Sequence, residues 1–159
     1  MQERILNASS ASYSSNLSLE NLKQKISNLN NKKTLPFSGK LQSENEFSVY
    51  DKRNVIGWNN PDVRRKSAYL NGKFSQSETG ALVNLIIKPN SFLPVFAIVS
   101  VIIGIIFALI ASFIMNNDNF LFMISLIFIV LGVFYYPFST YFRNRLQNNI
   151  VKYLDLQKL

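Results

Sequence analysis

Residues 92–138, FLPVFAIVSVIIGIIFALIASFIMNNDNFLFMISLIFIVLGVFYYPF, contain two apolar runs separated by the polar residues NNDN at 116–119. Residues 92–115 and residues 120–138 carry no charged side chain. As helices they would be about 36 Å and about 28 Å long, which is close to the ~30 Å hydrocarbon core of a bilayer. Because a helix of a soluble protein rarely stays apolar on every face for so long, we predict a two-helix transmembrane hairpin.

Charge is distributed unevenly around this hairpin. The chain of 159 residues carries 17 Lys and Arg against nine Asp and Glu, a formal net charge of +8, and none of the cations lies in residues 92–138. Since Lys and Arg that flank membrane spans stay on the cytoplasmic side, we expect a protein of the inner (cytoplasmic) membrane with both termini in the cytoplasm. We expect no secretory signal peptide, because residues 1–18 lack an apolar core. The cations that follow the hairpin are Arg143, Arg145, Lys152 and Lys158.

The composition argues against several kinds of chemistry. The chain has no Cys and no His, which removes disulfides, thiolate metal sites and the commonest general base. It contains no Gly-rich phosphate loop, nucleophile elbow or HExxH zinc motif. Glu44, Glu46 and Asp51 lie close together in sequence, but a solvated strand face explains them better than an acid–base pair. We therefore expect no enzyme activity, no cofactor and no bound metal.

The rest of the chain has the pattern of a small β-rich unit with flanking helices. Ser18 is a suitable N-cap for a short amphipathic helix, which could pack on its own domain, lie on the membrane surface or bind a partner. Packing on its own domain is the default expectation. From Pro36 onward the apolar pattern has a period of two residues, which is typical of strands. The predicted fold class is an α+β membrane protein, with a small antiparallel β-sheet and flanking helices interrupted by the two-helix transmembrane hairpin.

Five segments are predicted from these patterns. The β-rich segment alone is short, so docking of the C-terminal helix, the membrane or a partner is expected to matter for its stability. The segments are a disordered N-terminal segment at 1–17, an amphipathic helix and linker at 18–35, a cytoplasmic β-rich domain at 36–91, the hairpin at 92–138 (92–115, turn 116–119, 120–138) and a C-terminal cytoplasmic helix at 139–159.

Four strands are predicted within the β-rich domain. Residues 37–42 and 46–52 form one hairpin, and residues 67–77 and 80–88 form another. Gly39 and Gly72 are predicted to mark a bulge or a close approach of neighbouring groups.

Small residues form two regular series within the predicted spans. They recur every four residues in the first span and every seven in the second, which puts each series on one helix face. Such a face lets another helix approach closely, and the short turn favours packing of the two helices on each other over packing on a partner or a second copy. The residues are Ser100, Gly104, Ala108 and Ser112, then Ser125, Gly132 and Ser139.

The strongest polar signal is a basic segment between the two strand pairs. Three interpretations compete for it: a solvated loop, a contact with anionic lipid headgroups worth about 1 kcal/mol per cation, and nucleic-acid binding with a stacked Trp. Nucleic acid is the least favoured, whereas the lipid interpretation gains because the hairpin holds the segment near a bilayer. The residues are Lys52, Arg53, Trp58, Arg64, Arg65 and Lys66.

The layout of residues 36–154 resembles that of small bacterial membrane proteins with a β-rich cytoplasmic domain and a two-helix membrane hairpin. The shared elements are an F-x-G strand at Phe37, an F-x-V strand at Phe47, a loop with Asn and Pro, a G-x-F strand at Gly72, a further strand, a Pro and two spans. This resemblance implies no activity. A more distant likeness is to bacterial pleckstrin-homology-like membrane domains, which also pair a small β-domain with a hairpin.

Two hypotheses for function follow from the sequence. The first is a non-enzymatic integral membrane protein whose cytoplasmic β-domain binds anionic lipid headgroups or a protein partner. The second is an accessory subunit of a larger membrane transport or secretion complex, docked through the small-residue face of the hairpin. A protein partner or a homo-oligomer is expected in addition to the lipid bilayer.

Overall fold

The computed structural model describes residues 9–32, 34–52, 66–77, 80–89, 92–113 and 119–159. The chain divides into two compact units, one made of Met1–Asn90 with Tyr141–Leu159 and the other of Ser91–Thr140. The first, which we call the sheet unit, contains an antiparallel sheet. The second contains one helix and the first part of another, and both helices are long and apolar enough to cross a membrane. The predicted α+β class with a small antiparallel sheet is therefore confirmed.

The sheet has six strands within the described residues, two more than predicted. The strands are β1 (Ser9–Ser15), β2 (Phe37–Leu41), β3 (Glu46–Asp51), β4 (Ala68–Ser77), β5 (Gly80–Pro89) and β6 (Gln157–Lys158). Hydrogen-bonded neighbours follow the order β2-β3-β4-β5-β1-β6, and every pair is antiparallel. The first strand of the chain therefore lies between the fifth and the last.

Both predicted hairpins are confirmed. β2 pairs with β3 so that Gly39 lies opposite Val49, and β4 pairs with β5 so that Leu70 lies opposite Ile87. β3 also pairs with β4, which joins the two hairpins into one sheet. Alternate residues of β3, β4 and β5 are buried, as expected when one face of a sheet covers a core.

Ser9–Ser15 forms β1, although the sequence predicts disorder over residues 1–17. All seven residues pair with β5, from Ser9 opposite Ile87 to Ser15 opposite Ala81. The prediction is wrong for this stretch because the backbone hydrogen bonds come from a distant apolar strand, which a Ser-rich composition does not reveal. Residues 1–8 lie outside the described residues.

Helix α1 (Leu19–Ser27) begins where the sequence predicts. The Ser18 side chain accepts a hydrogen bond from the Asn21 backbone N–H at 3.3 Å, which satisfies a donor of the first turn. A 3-10 turn, Asn28–Asn31, follows directly. Packing of this helix on its own domain is confirmed, since its apolar side chains join the core of the sheet unit; these are Leu22, Ile26 and, in the 3-10 turn, Leu29.

Two long apolar helices follow the first five strands. They are α2 (Phe92–Phe113) and α3 (Asn119–Leu154), and Pro137 lies inside α3. The sequence predicts a span that ends at 138 and a separate helix at 139–159, whereas the structure has one continuous helix. A proline removes one backbone hydrogen bond, and here the residues on both sides keep their helical conformation. Of the predicted turn at 116–119, only Asn119 lies within the described residues.

The C-terminal end of α3 is closed by a left-handed residue. Asp155 has a φ of 55°, and the N–H of Leu156 donates to the carbonyl oxygen of Val151 at 2.9 Å. This is the hydrogen bond of a Schellman cap, with Asp in the position that glycine usually takes. The predicted C-terminal helix therefore ends at Leu154, and Tyr13 of β1 pairs with Lys158 of β6.

The core of the sheet unit lies between one sheet face and the helices. Phe47 and Phe74 stack there with ring centroids 4.6 Å apart. A side chain at Gly72 would meet the Phe47 ring, so Gly72 marks a close approach, one of the two options predicted. α3 completes this core with three fully buried side chains: Leu146, Ile150 and Leu154.

Candidate functional site

The second face of the sheet, which we call the open face, carries half-buried and exposed polar side chains. The strand register places these side chains in rows that run across the strands. One row is Glu46, Lys73, Asn84 and Ser12, the next is Ser48, Asn71, Ile86 and Ser10, and the third is Tyr50, Tyr69 and Lys88. The polar rows predict that this face meets water or a polar partner.

A concavity of about 490 Å³ lies on the open face. Its wall includes an ion pair, Lys73 Nζ to Glu46 Oε1 at 3.5 Å, between two exposed side chains. Asn84 also lines it and accepts a hydrogen bond from the Ser12 hydroxyl at 2.7 Å. These groups can form hydrogen bonds to a polar molecule, but they include neither a nucleophile next to a base nor a pair of carboxylates.

The third row combines two phenols with one ammonium group, and Lys66 brings a second ammonium group next to it. Tyr50 lies opposite Tyr69, and Tyr69 lies opposite Lys88. The Lys66 ammonium lies over the Tyr50 ring, 5.5 Å from its centroid, which is within cation–π range. The sequence pattern pointed to Lys66 but not to Tyr50, Tyr69 and Lys88. Each of these three could have been found from its position on the outward side of a predicted strand.

The basic segment is described only at its two ends. Arg53, Trp58, Arg64 and Arg65 lie outside the described residues. Lys52 is held by the chain around it: its backbone N–H donates to the carbonyl oxygen of Pro36 at 2.9 Å, and its ammonium donates to that of Lys32 at 3.0 Å. The structure therefore brings Lys52 and Lys66 to the sheet and leaves the other four predicted contact residues undescribed.

Both ends of the basic segment lie at the end of the sheet where β3 ends and β4 begins. The segment leaves β3 after Asp51 and enters β4 at Ala68, which pairs with Pro89 at the end of β5. Pro89 is followed, three residues later, by Phe92, the first residue of α2. The chain therefore enters the apolar helices from the same end of the sheet at which the basic segment begins and ends.

Gly104 of α2 and Gly132 of α3 each lie against the opposite apolar helix. A Cβ at Gly104 of α2 would lie 2.8 Å from the carbonyl oxygen of Ser125 and 2.6 Å from a side-chain carbon of Ile129. A Cβ at Gly132 of α3 would lie 2.6 Å from the carbonyl oxygen of Ala97. Both glycines are therefore sites where the backbones of α2 and α3 approach closely.

The other members of the two small-residue series differ in exposure. The hydroxyls of Ser125 and Ser139 donate to carbonyl oxygens one turn earlier, those of Phe122 at 2.6 Å and Tyr136 at 2.8 Å, so neither hydroxyl is unsatisfied. Ser100, Ser125 and Ser139 are buried, Ala108 is half-buried and Ser112 is exposed.

Most of the apolar surface of α2 and α3 is exposed. In the most apolar 18-residue window of each helix, mean hydropathy is 3.0 and 2.3, yet only 28% and 11% of the window is buried. A core helix of a soluble protein with this composition would be mostly buried. The largest exposed side chains include Phe113, Phe120, Met123 and Phe134.

The acidic residues do not form a site within the described part of the chain. No group of three or more Asp and Glu there could hold a metal ion. Glu44 and Glu46 are exposed, as a solvated strand face predicts, but Asp51 is only 2% exposed. The solvated interpretation is therefore wrong for Asp51, because the odd-numbered positions of β3 face the core.

Comparison of the chain with known protein families, with curated proteins and with solved structures gives no match. The family resemblance of residues 36–154 therefore stays a prediction.

Proposed function

We propose that this chain is a non-enzymatic integral protein of the inner (cytoplasmic) membrane, with α2 and the part of α3 up to Thr140 crossing the bilayer. The exposed apolar surface of these helices supports this proposal, because an aqueous setting would leave it uncovered. The two helices are also free of charged side chains over this range. Hydrocarbon is the solvent in which such helices are stable.

The sheet unit contains residues from before α2 and after Thr140, which limits the side of the bilayer on which these residues can lie. Residues before α2 and residues after Thr140 build one sheet and one core: β6 pairs with β1, and the Gln147 side chain donates to the Tyr13 hydroxyl at 2.6 Å. If the helices span a bilayer, both flanks must therefore lie on the same side. The positive charge of these flanks favours the cytoplasmic side.

The proposed task of the sheet unit is contact with anionic lipid headgroups through the basic segment from Lys52 to Lys66. The observation that carries this proposal is the pairing of Ala68 with Pro89 at the end of the sheet that leads into α2. From Pro89 to Phe92 an extended chain covers at most about 11 Å. That is comparable to the Debye length of about 8–10 Å within which a charged membrane surface attracts cations.

The fluorescence of Trp58 tests this contact directly, since the chain has one Trp. The full-length protein is placed in nanodiscs of phosphatidylcholine alone or with phosphatidylglycerol, each with and without a headgroup-labelled quencher lipid. We expect Trp58 to be quenched, with its emission shifted to the blue, only in the anionic discs. The effect is expected to disappear in about 1 M salt, where the Debye length falls to about 3 Å.

Two matched charge variants distinguish the effect of the basic segment on quenching from the effect of net charge. Arg64→Gln with Arg65→Gln removes two cations from the segment and should abolish the lipid-dependent quenching. Lys40→Gln with Lys152→Gln removes two exposed cations elsewhere and should leave it unchanged. Equal Trp58 spectra in anionic and neutral discs would overturn the proposed lipid contact.

The accessory-subunit alternative has less support. It requires a small-residue face that is available to a partner, whereas Gly104 and Gly132 contact the opposite helix of the hairpin. A homo-oligomer or a protein partner remains compatible with the lipid proposal, because the open face of the sheet is exposed within the described residues.

A further inference from the structure

The row of Tyr50, Tyr69 and Lys88 crosses three strands at one end of the open face. This is the end at which the basic segment meets the sheet and at which β5 leads toward α2. All three side chains are half-buried, so each is partly covered by its neighbours and partly open to solvent. Neighbouring strands are about 4.8 Å apart, which puts the backbones of Tyr50 and Lys88 about 10 Å from each other.

The charge around this row is positive. Lys66 lies over Tyr50 and Lys88 lies beside Tyr69. Glu46 lies on the same face but two rows away, where Lys73 pairs with it. Asp51 follows Tyr50 in β3 but is buried on the opposite face. The Lys66 ammonium and the Lys88 side chain therefore lie at the same end of the open face.

The residue types in the row suit one chemical group. Ammonium groups and phenol hydroxyls both donate to phosphate oxygens, and hydrogen bonds to a charged acceptor are the stronger ones. Tyr also favours the interface between lipid and water, because its ring is apolar and its hydroxyl is polar. Both preferences suit the phosphate group of a lipid headgroup.

We propose that Tyr50, Tyr69, Lys66 and Lys88 bind the phosphate group of a single anionic phospholipid headgroup. This inference rests on the proposed function and goes further, because it assigns a defined headgroup site to the folded sheet and not only a diffuse attraction to the basic segment. Lys88 is the residue that distinguishes the two, since it lies outside the segment from Lys52 to Lys66.

Native mass spectrometry of the full-length protein in detergent tests the site by counting bound phosphatidylglycerol. Lys88→Gln is expected to weaken binding of the first phosphatidylglycerol about fivefold, from the loss of one cation near the headgroup. The double variant Tyr50→Phe with Tyr69→Phe is expected to weaken it by a similar factor, because only hydroxyl donors are lost. Lys73→Gln is the matched control, with the same charge change two rows away, and should alter binding less than twofold.

Two further measurements identify the ligand and show whether a negative result concerns only this site or also the proposed function. In the first, inorganic phosphate is added to the same samples without lipid. The lipid assignment would be overturned if Lys88→Gln removed phosphate binding but left phosphatidylglycerol binding unchanged. Equal effects of Lys88→Gln and Lys73→Gln would overturn the site. In that case quenching of Trp58 in anionic discs still decides the proposed function on its own. Thermal unfolding midpoints equal to wild type show that each variant is folded.

Discussion

Lys25 and Tyr153 join helix α1 to helix α3 through two reciprocal hydrogen bonds. The Lys25 ammonium donates to the carbonyl oxygen of Tyr153 at 3.3 Å, and the Tyr153 hydroxyl donates to the carbonyl oxygen of Lys25 at 3.2 Å. The Tyr153 ring also contacts Phe37 of β2 edge-on, with centroids 5.8 Å apart. One side chain therefore links two helices and an edge strand of the sheet unit.

Tyr153→Phe isolates the hydroxyl of this link, because the ring contacts can persist. We expect the free energy of unfolding to fall by about 1 kcal/mol, since a part-buried carbonyl oxygen loses its donor. Thermal unfolding in detergent measures the change. Tyr141→Phe makes the same substitution at an exposed position of α3 and should have no measurable effect. Equal losses in the two variants would contradict a specific role for the Tyr153 hydroxyl.

Ile150→Ala tests how far the sheet depends on α3. Ile150 is fully buried in the core of the sheet unit, so its truncation leaves a cavity and should lower the free energy of unfolding by about 2–5 kcal/mol. Limited proteolysis should then cut the sheet unit faster than in the wild type. Asn148→Ala, two residues away and exposed, serves as the control and should resist proteolysis as the wild type does.

Gly104→Ala tests the close approach of α2 and α3. Alanine favours a helix by about 1 kcal/mol over glycine, so an uncrowded site would gain stability. At Gly104 the new Cβ would lie 2.8 Å from the backbone oxygen of Ser125 and 3.1 Å from the backbone nitrogen of Ile129. We expect a net loss of about 1–3 kcal/mol, because the two backbones must separate.

Thermal unfolding in lipid or detergent distinguishes these outcomes for Gly104→Ala. Ser112→Ala, in the same series but exposed, introduces the same residue without a crowded neighbour and should be neutral. A Gly104→Ala protein that is as stable as the wild type would show that the helices are not packed as closely as these distances require.

Topology in the membrane can be measured with single cysteines, since the chain contains none. We expect Lys40→Cys and Gln157→Cys to react with an impermeant maleimide from the same side of the bilayer, because both positions belong to the sheet unit. Asn117→Cys, between the two apolar helices in sequence, should react from the other side. Reaction of all three from one side would rule out a hairpin that crosses the bilayer.

The two central hairpins were predictable because their information is local. In 46–52 the alternation of Phe47 and Val49 with polar residues gives both the strand and its buried face, and short connections set which strands pair. The amphipathic helix was predictable for the same reason, since Ser18 caps it and its apolar positions follow helical spacing.

Two elements of the fold depend on information that local patterns lack. β1 is a Ser-rich strand whose partner, β5, lies about 70 residues further along the chain. α3 continues through Pro137 into the sheet unit, where Leu146 and Leu154 are buried by residues from the other end of the sequence. In β1 tertiary pairing overrides a compositional signal of disorder, and α3 runs across the boundary at 138–139 that the end of the apolar run predicted.

Only the positive charge of the candidate site could be predicted from the sequence. The clustering of Lys and Arg around Trp58 shows in the sequence, but the row of Tyr50, Tyr69 and Lys88 needs the register of three strands. A shift of one residue in that register would send the tyrosines to the core face. Side chains that are distant in sequence become a candidate site only when the pairing is known.

The division of the sheet unit into two stretches of chain has a consequence for its biosynthesis. Strands β1 to β5 leave the ribosome before the apolar helices, and the core residues Leu146, Ile150 and Leu154 leave it after them. A nascent chain stalled or cut between these stretches exposes the apolar side chains that α3 would have covered. Chaperones and proteases that bind exposed apolar surfaces can therefore eliminate chains whose synthesis stops halfway.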